Sequence, residues 1–324
     1  MLIVTLPTIV SSTDIELAKR MLAHPLVQAA RYNTGGDSPF NPEQIVRKLH
    51  ALQTATNKPI YIDIDGRQLR VAEWRFTNTR CVVLNRDVTV SLPASIHFRH
   101  FGWYEVVAVS PVERKLFFAL PENSSHTFCL GASQTAHIVG QDMHVHGGYL
   151  NERDKEFIYH AAKFGFGKFM LSFFEQIEDM HDVRDLFFSA YSAQRPLELE
   201  LVLKIESQKG VAAIATTQNL VSDSVHLLAA RDDLYLSFAH NKQDFLSAVQ
   251  LIATKDSNAV VASRIMTGVE AGKDISVGDL ADLVLLQQYG YKRYMWSDEL
   301  AQKFSSAIHQ WQNIVLPLLH PLEV

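Results

Sequence analysis

Charged and hydroxyl side chains close several of the apolar runs in this chain. Lys204 and Glu206 stand two apart in LELVLKIE (199–206). Residues two apart on a strand share a face, so the ammonium and the carboxylate point the same way. Arg31 and Asn33 end VQAARYN (27–33), and Asp63 and Asp65 end PIYIDID (59–65), with Arg70 just beyond. Ser172 falls in KFMLSFF (168–174) and Ser263 in AVVASRI (259–265). Carboxylates suit a hard divalent cation, and cationic groups suit a phosphate or a developing oxyanion. Each position alone has an ordinary explanation. Polar residues often follow strands, Asp65-Gly66 reads as a turn, and Lys204 and Glu206 can simply neutralise each other. Convergence changes the balance, because burying so many charges without a ligand is costly.

Other motifs carry less weight. HVHGG (144–148) has metal-like His-x-His spacing, but no third ligand is identifiable, so a solvated loop is the better reading. HFRHF (97–101) reads as a strand with alternating faces. The glycines of NTGGDS (33–38) follow a strand and precede a helix, where beside Arg31 they can hold an anion. GFGKF precedes a strand, whereas a phosphate loop follows one.

The runs that must position these groups are LIVTLP (2–7), VQAARYN, PIYIDID, KFMLSFF, LELVLKIE, DLYLSFA (233–239), AVVASRI and KRYMWS (292–297). Amphipathic segments such as NPEQIVRKLHALQTAT and VGDLADLVLLQQYG lie between them. Eight strands alternating with helices predict an α/β fold, a (β/α)8 TIM-type barrel with its active rim at the strands' carboxyl ends. Connection lengths leave the fourth and sixth strands free to shift by a few residues. Residues 72–139 break the alternation: CVVLNRDVTVSLP, WYEVVAV and KLFFALPENSS are rich in β-formers and turns. They predict a small all-β domain inserted after the third strand, with the barrel made of 1–71 and 140–324. Setting the insert aside leaves a length close to the roughly 250 residues of such a barrel.

Composition narrows the function classes. The 324 residues are 47% hydrophobic and 20% charged, with a net charge of −5, which offers no basic footprint for nucleic acid. Two cysteines, Cys81 and Cys129, fit a reducing compartment. MLIVTLPTIV lacks a positive leader and reads as a strand, and no apolar run is long enough to span a bilayer. The expectation is a cytoplasmic protein without a membrane partner.

In order and placement, the motifs resemble those of the pyruvate kinase family. VQAARYNTGGD is similar to its strand-two motif, in which Arg and Asn precede a Ser-His-Gly turn. YIDIDGRQLR resembles Leu-Asp-Thr-Lys-Gly-Pro-Glu-Ile-Arg, and LSFFEQIEDMHDVR resembles Ser-Phe-Ile-Arg…Asp-Val…Val-Arg. LKIESQKGV is similar to Lys-Ile-Glu-…-Gly-Val. ASRIMTGV, GDLADLVLLQQYG and SDELA resemble Ala-Thr-Gln-Met-Leu, Ser-Asp-Val-Ala-Asn-Ala-Val and Ser-Gly-Glu-Thr-Ala. The resemblance implies that Lys204 is the cation beside the transferring phosphoryl and enolate oxygens, and that Glu206 ligates a divalent metal, Mg²⁺ or Mn²⁺. It implies phosphate neutralisation by Arg31 and Arg70, a monovalent-cation (K⁺) site at Asn33 and Asp63, and a substrate contact at Ser172. Ser263 stands for a Thr near the carbon that is protonated.

The departures shape the expected activity. The family's Ala-Arg-Gly-Asp motif is sought near LSFAHNKQD, where Phe238, Ala239 and His240 stand, so its metal carboxylate reads as lost and His240 or Asn241 as a substitute ligand. Asp65 replaces a Lys, Gly35 a Ser and Glu175 a basic residue. The chain also ends where the family continues into a regulatory domain, so a homodimer is the largest assembly expected. These features predict binding of a small 2-oxo acid or its enol phosphate. Enolisation, lyase chemistry or an altered phosphoryl transfer is expected in preference to ordinary ADP-dependent kinase activity. The alternative is a catalytically silent relative with a binding or scaffolding role.

Overall fold

Parallel strands buried on both faces read as continuous apolar runs, and eight such runs close on one another here. In a computed structural model, the structure describes residues 1–76, 80–99, 101–119, 133–191, 198–239 and 241–319. The chain runs β1 (Leu2–Thr5), α1 (Ser12–Ala23), β2 (Val27–Asn33), α2 (Pro42–Thr56) and β3 (Ile60–Ile64) before leaving the barrel. Six strands follow: β4 (Val71–Phe76), β5 (Arg80–Leu84), β6 (Val88–Phe98), β7 (Gly102–Ser110), β8 (Lys115–Phe118) and β9 (Ala136–Val145). The barrel resumes with α3 (Glu152–Phe164), β10 (Lys168–Leu171), α4 (Ile177–Ala190), β11 (Glu200–Ile205), α5 (Gln208–Thr216) and β12 (Val225–Ala230). Then come α6 (Arg231–Ser237), α7 (Asp244–Lys255), β13 (Val260–Ala262), α8 (Thr267–Glu270), α9 (Val277–Gln288) and β14 (Arg293–Met295). Short helices α10 (Asp298–Gln302), α11 (Phe304–Gln310) and α12 (Leu316–Leu319), with a π-helical turn at Trp311–Val315, complete the described chain.

The strands form a closed parallel barrel in the order β1-β14-β13-β12-β11-β10-β3-β2. The expected (β/α)8 architecture is therefore the observed one. The other six strands make a separate antiparallel sheet, β4-β5-β8-β7-β6-β9, around Val82, Leu84, Ile96, Phe98, Leu116 and Phe118. The chain divides into two compact units, one of residues 1–34, 38–65 and 152–324, the other of residues 35–37 and 66–151.

Local sequence sets the helix starts. Asn41 accepts the Gln44 backbone N–H at 2.9 Å, and Pro42 fills the first helical position, where its missing N–H is harmless. Ser207 caps α5 through the Gly210 N–H at 3.1 Å. A Cβ on Gly210 would lie 2.6 Å from the Phe174 carbonyl oxygen, so this turn accepts only glycine without displacing backbone. The cap ties the residue after Glu206 to a fixed helix.

One strand lies elsewhere than its sequence pattern predicts. DLYLSFA is not the sixth strand; Arg231–Ser237 is helical, and the sixth strand is Val225–Ala230. DLYLSFA alternates apolar and polar residues, but the buried residues of this segment, Arg231 just before the run and Leu234 and Phe238 within it, are spaced for a helix. VHLLAA, buried at every position, pairs in parallel with β11 and β13.

Candidate active site

Alternation along the barrel strands builds the site in layers. Ile3, Ala29, Tyr61, Met170 and Val202 belong to the apolar filling of the barrel. Two residues further along the same five segments stand Thr5, Arg31, Asp63, Ser172 and Lys204, all buried. The period of two thus converts an apolar layer into a polar one at the carboxyl ends, where barrel enzymes carry their chemistry.

The polar layer is one connected network. Arg31 Nε donates to Asp63 Oδ2 at 2.6 Å, and Arg31 Nη1 to Thr5 Oγ1 at 3.2 Å. Lys204 Nζ donates to Asp63 Oδ2 at 3.1 Å and to Ser172 Oγ at 2.8 Å. Ser172 Oγ in turn donates to Asp63 Oδ1 at 3.1 Å. Lys204 Nζ also lies 3.2 Å from Glu206 Oε1, while Glu206 Oε2 accepts the Phe173 N–H at 2.7 Å. Phe173 adopts a left-handed backbone (φ 49°) in making that bond. A non-glycine residue holds such a conformation only where its surroundings impose it. The Thr34 N–H and Oγ1 both donate to the Asp63 carbonyl, fixing the end of β3.

Burial and mutual charge set the protonation states. Burial pushes the Lys204 ammonium down, but Asp63 and Glu206 outweigh it, so its pKa is raised and it stays cationic. Burial likewise works against Arg31, and Asp63 followed by Asp298 reverses the effect. Burial raises Asp63, yet Lys204 and Arg31 bring its carboxyl below the usual range. Glu206 behaves differently. Burial raises its pKa to about 7, Lys204 opposes the rise, and the carboxylates of Asp233 and Asp63 reinforce it.

Asp233 is the residue that the sequence reading missed. Because the sixth strand is Val225–Ala230, its carboxyl end is followed by Arg231, Asp232 and Asp233 and not by Phe238 and Ala239. Ala230-Arg231-Asp232-Asp233 keeps three of the four residues of the Ala-Arg-Gly-Asp motif sought further along, including its carboxylate. The signal was present as a short apolar run ending in AARDD. His240 lies outside the described residues.

The remaining candidates fall in different places. The backbone of Ser263 is left-handed (φ 64°), as are Arg264 (φ 55°) and Met266 (φ 57°). The Ser263 carbonyl accepts from Arg231 Nε at 3.1 Å and Nη2 at 2.9 Å, and the Arg264 carbonyl accepts from Nη2 at 2.9 Å. Asp282 holds the same guanidinium at 2.6 and 2.9 Å, so a helix-anchored arginine braces the turn after β13. Asn33 ends β2 opposite Asp63 in the strand register. Arg70 belongs to the second unit, where it donates to Gln68 Oε1 at 2.6 Å and to the Ser133 carbonyl at 3.1 Å. A Cβ on Gly35, in that same unit, would lie 2.0 Å from Arg70 Nη2, so the guanidinium occupies the space a serine there would need. His144 and His146 stack edge to face at 4.8 Å, and His146 meets Thr89 Oγ1 at 3.0 Å. Among the described residues no group of three or more His, Cys, Asp or Glu forms a metal cluster. Nor is any described helix long and apolar enough to cross a membrane.

No protein-family model matches the sequence, and no curated protein matches it. Among solved structures, the chain is similar to a pyruvate kinase from Cryptosporidium parvum, with a TM-score of 0.68 at 14% identity. The match covers 99% of this chain and 71% of that one. At this identity the likeness is one of fold, and the barrel with its inserted sheet is a pyruvate kinase-like fold.

Proposed function

We propose that the barrel mouth binds a small 2-oxo acid through a divalent cation and stabilises its enolate. The observation that carries this reading is the fully buried Glu206, whose carboxyl is pushed up to about 7 beside the cationic Lys204 and the carboxylate of Asp233. A buried carboxylate beside a second, half-buried one is a fit for a hard cation, and Mg²⁺ commonly takes one or two carboxylates and completes its shell with water and substrate. Glu206 and Asp233 would hold Mg²⁺ or Mn²⁺. Such an ion, when bound, polarises the substrate carbonyl and carboxylate.

The chain's own groups then have defined tasks. Lys204, held as an ammonium by Asp63 and Ser172, faces the oxygen that becomes negative on enolisation. Arg31, on the strand next to that of Asp63, supplies a second positive charge, and Asp63 orients both cations. Ser263, on its braced turn, is assigned the proton transfer at the substrate's third carbon. Both oxygens of Asp63 are already engaged by Arg31, Lys204 and Ser172, so no K⁺ requirement is assigned to the site. The net charge and the reducing-type cysteine content fit action in the cytoplasm.

A catalytically silent barrel is the competing reading. Its supporting observation is the internal pairing of Lys204 with both Asp63 and Glu206. Thermal-shift measurements with Mn²⁺ and pyruvate, phosphoenolpyruvate or oxalate separate the two. The proposal expects a metal-dependent shift with oxalate, an enolate mimic, that vanishes in Lys204→Met and Glu206→Gln. It also expects deuterium from solvent to enter the methyl group of pyruvate, read by NMR. No shift with any of the three acids would sink the proposal in favour of the silent barrel.

A further inference from the structure

The guanidinium of Arg31 has an inner and an outer partner. Inside, Asp63 accepts Nε at 2.6 Å from a side chain only 2% exposed. Outside, Asp298 Oδ2 lies 3.6 Å from Nη1, on a side chain 40% exposed. Among the described residues, Arg31 Nη2 has no protein acceptor. A bound anion would therefore meet Arg31 on the side where Asp298 stands.

Asp298 is not needed to start its own helix. The cap of α10 is Ser297, whose Oγ accepts the Leu300 N–H at 3.1 Å. The Asp298 carboxylate instead adds a fourth negative charge to a set with two positive ones. Arg31 and Lys204 are the cations; Asp63, Glu206, Asp233 and Asp298 are the carboxylates. With a divalent cation bound the set is balanced, and no surplus positive charge remains for a phosphate. Phosphoryl sites show the opposite bias, an excess of cationic donors around the phosphate oxygens.

We propose that Asp298 is a specificity-determining residue that screens Arg31 and turns the mouth away from phosphorylated acids toward unphosphorylated 2-oxo acids. The inference rests on the reading of the mouth as a 2-oxo acid site and names the substrate class. The outer carboxylate acts as a resident anion that a phosphate must displace, whereas a carbonyl and carboxylate bound at Lys204 and Glu206 leave it undisturbed.

Isothermal titration of the full chain with Mn²⁺ tests this, using oxalate, phosphoenolpyruvate and inorganic phosphate against wild type, Asp298→Asn and Asp298→Glu. The expected result is that Asp298→Asn tightens phosphoenolpyruvate and phosphate by about tenfold or more while oxalate stays within about twofold. Asp298→Glu, which keeps the charge, is expected to retain the wild-type preference and the first-turn acid of the helix. If Asp298→Asn lowers the melting temperature but leaves every anion affinity unmoved, Asp298 serves the helix and the inference is overturned. Should oxalate bind neither protein, the 2-oxo acid reading fails separately. The phosphate arm then still decides: tighter phosphate in Asp298→Asn supports the screen, and unchanged phosphate removes it.

Discussion

The two ends of the barrel both carry charged side chains, and they hold them in opposite ways. At the amino ends, Glu200 accepts from Tyr61 at 2.6 Å and pairs with Lys168, and Arg293 donates to Tyr61 Oη at 3.3 Å and to the Asn258 carbonyl at 3.1 Å. Burial raises the Glu200 carboxyl, but the bonds from Lys168 and Tyr61 more than offset it, so its pKa is lowered. At the carboxyl ends, Glu206 is deeper, has one ammonium and one backbone N–H, and faces further carboxylates; its pKa is raised. In the amino-end cluster the Glu200 carboxylate has both a hydroxyl donor and a cation, and the group left without a partner among the described residues is the Arg293 Nε–H, not a carboxylate. The carboxyl-end cluster keeps a carboxylate in an unfavourable state that a cation would relieve, which is the feature the proposed site relies on.

The largest effect that tests this difference is on stability. Lys204→Met leaves Asp63 and Glu206 buried with one cation fewer, and a broken buried pair costs about 3–5 kcal/mol. Urea denaturation of the metal-free protein measures it. A loss below about 1 kcal/mol would mean that the upper network is no more demanding than a surface pair.

The pH dependence of stability carries opposite signs at the two ends. The ordinary Glu value is 4.5, and Glu206 in the fold titrates near 7. The folded state therefore binds the extra proton between these values, and the Glu206 contribution to stability is full below 4.5 and lost as pH rises toward 7. Glu200 is lowered, so its contribution is present above 4.5 and lost as pH falls through its folded value. In metal-free protein, Glu206→Gln is expected to remove a decline in stability between about pH 5 and 7 that Glu200→Gln leaves in place. Equal slopes in the two variants would erase the distinction drawn between the clusters.

A smaller effect, about tenfold in Mn²⁺ affinity or roughly 1.4 kcal/mol, is expected for Asp233→Asn, with His240→Ala unchanged. Equilibrium dialysis decides it, and the reverse pattern would restore the ligand set first read from sequence. That reading went astray for a physical reason. Parallel strands leave a plain record when an apolar residue alternates with a polar one, as in Tyr61 and Asp63 or Val202 and Lys204, and those positions could be placed from sequence. The sixth strand has no such record, because VHLLAA ends in two alanines with no charged residue inside the run, while DLYLSFA mimics a two-residue period on a helix. Two of the neighbours of Arg70 were equally hidden. Gln68 is local, but Ser133 is brought to Arg70 by the bridge to Thr135, and Gly35 is close to its guanidinium from far earlier in the chain, neither of which leaves a local pattern.

The smallest expected effect lies at the amino end. Lys168 is 36% exposed in its pair with Glu200, and its Nζ sits 5.5 Å from the centre of the Tyr61 ring. Glu200 keeps the Tyr61 hydroxyl as a donor when Lys168 is removed, so no carboxylate is left stranded. Lys168→Met is therefore expected to cost at most about 1 kcal/mol and to leave oxalate and Mn²⁺ affinities at wild-type values. A change in ligand affinity would show that the two polar layers communicate through Tyr61, Met170 and Val202, the apolar filling that otherwise separates them. Close packing in that filling passes strain but not charge, so affinity and stability are expected to part company at this end of the barrel.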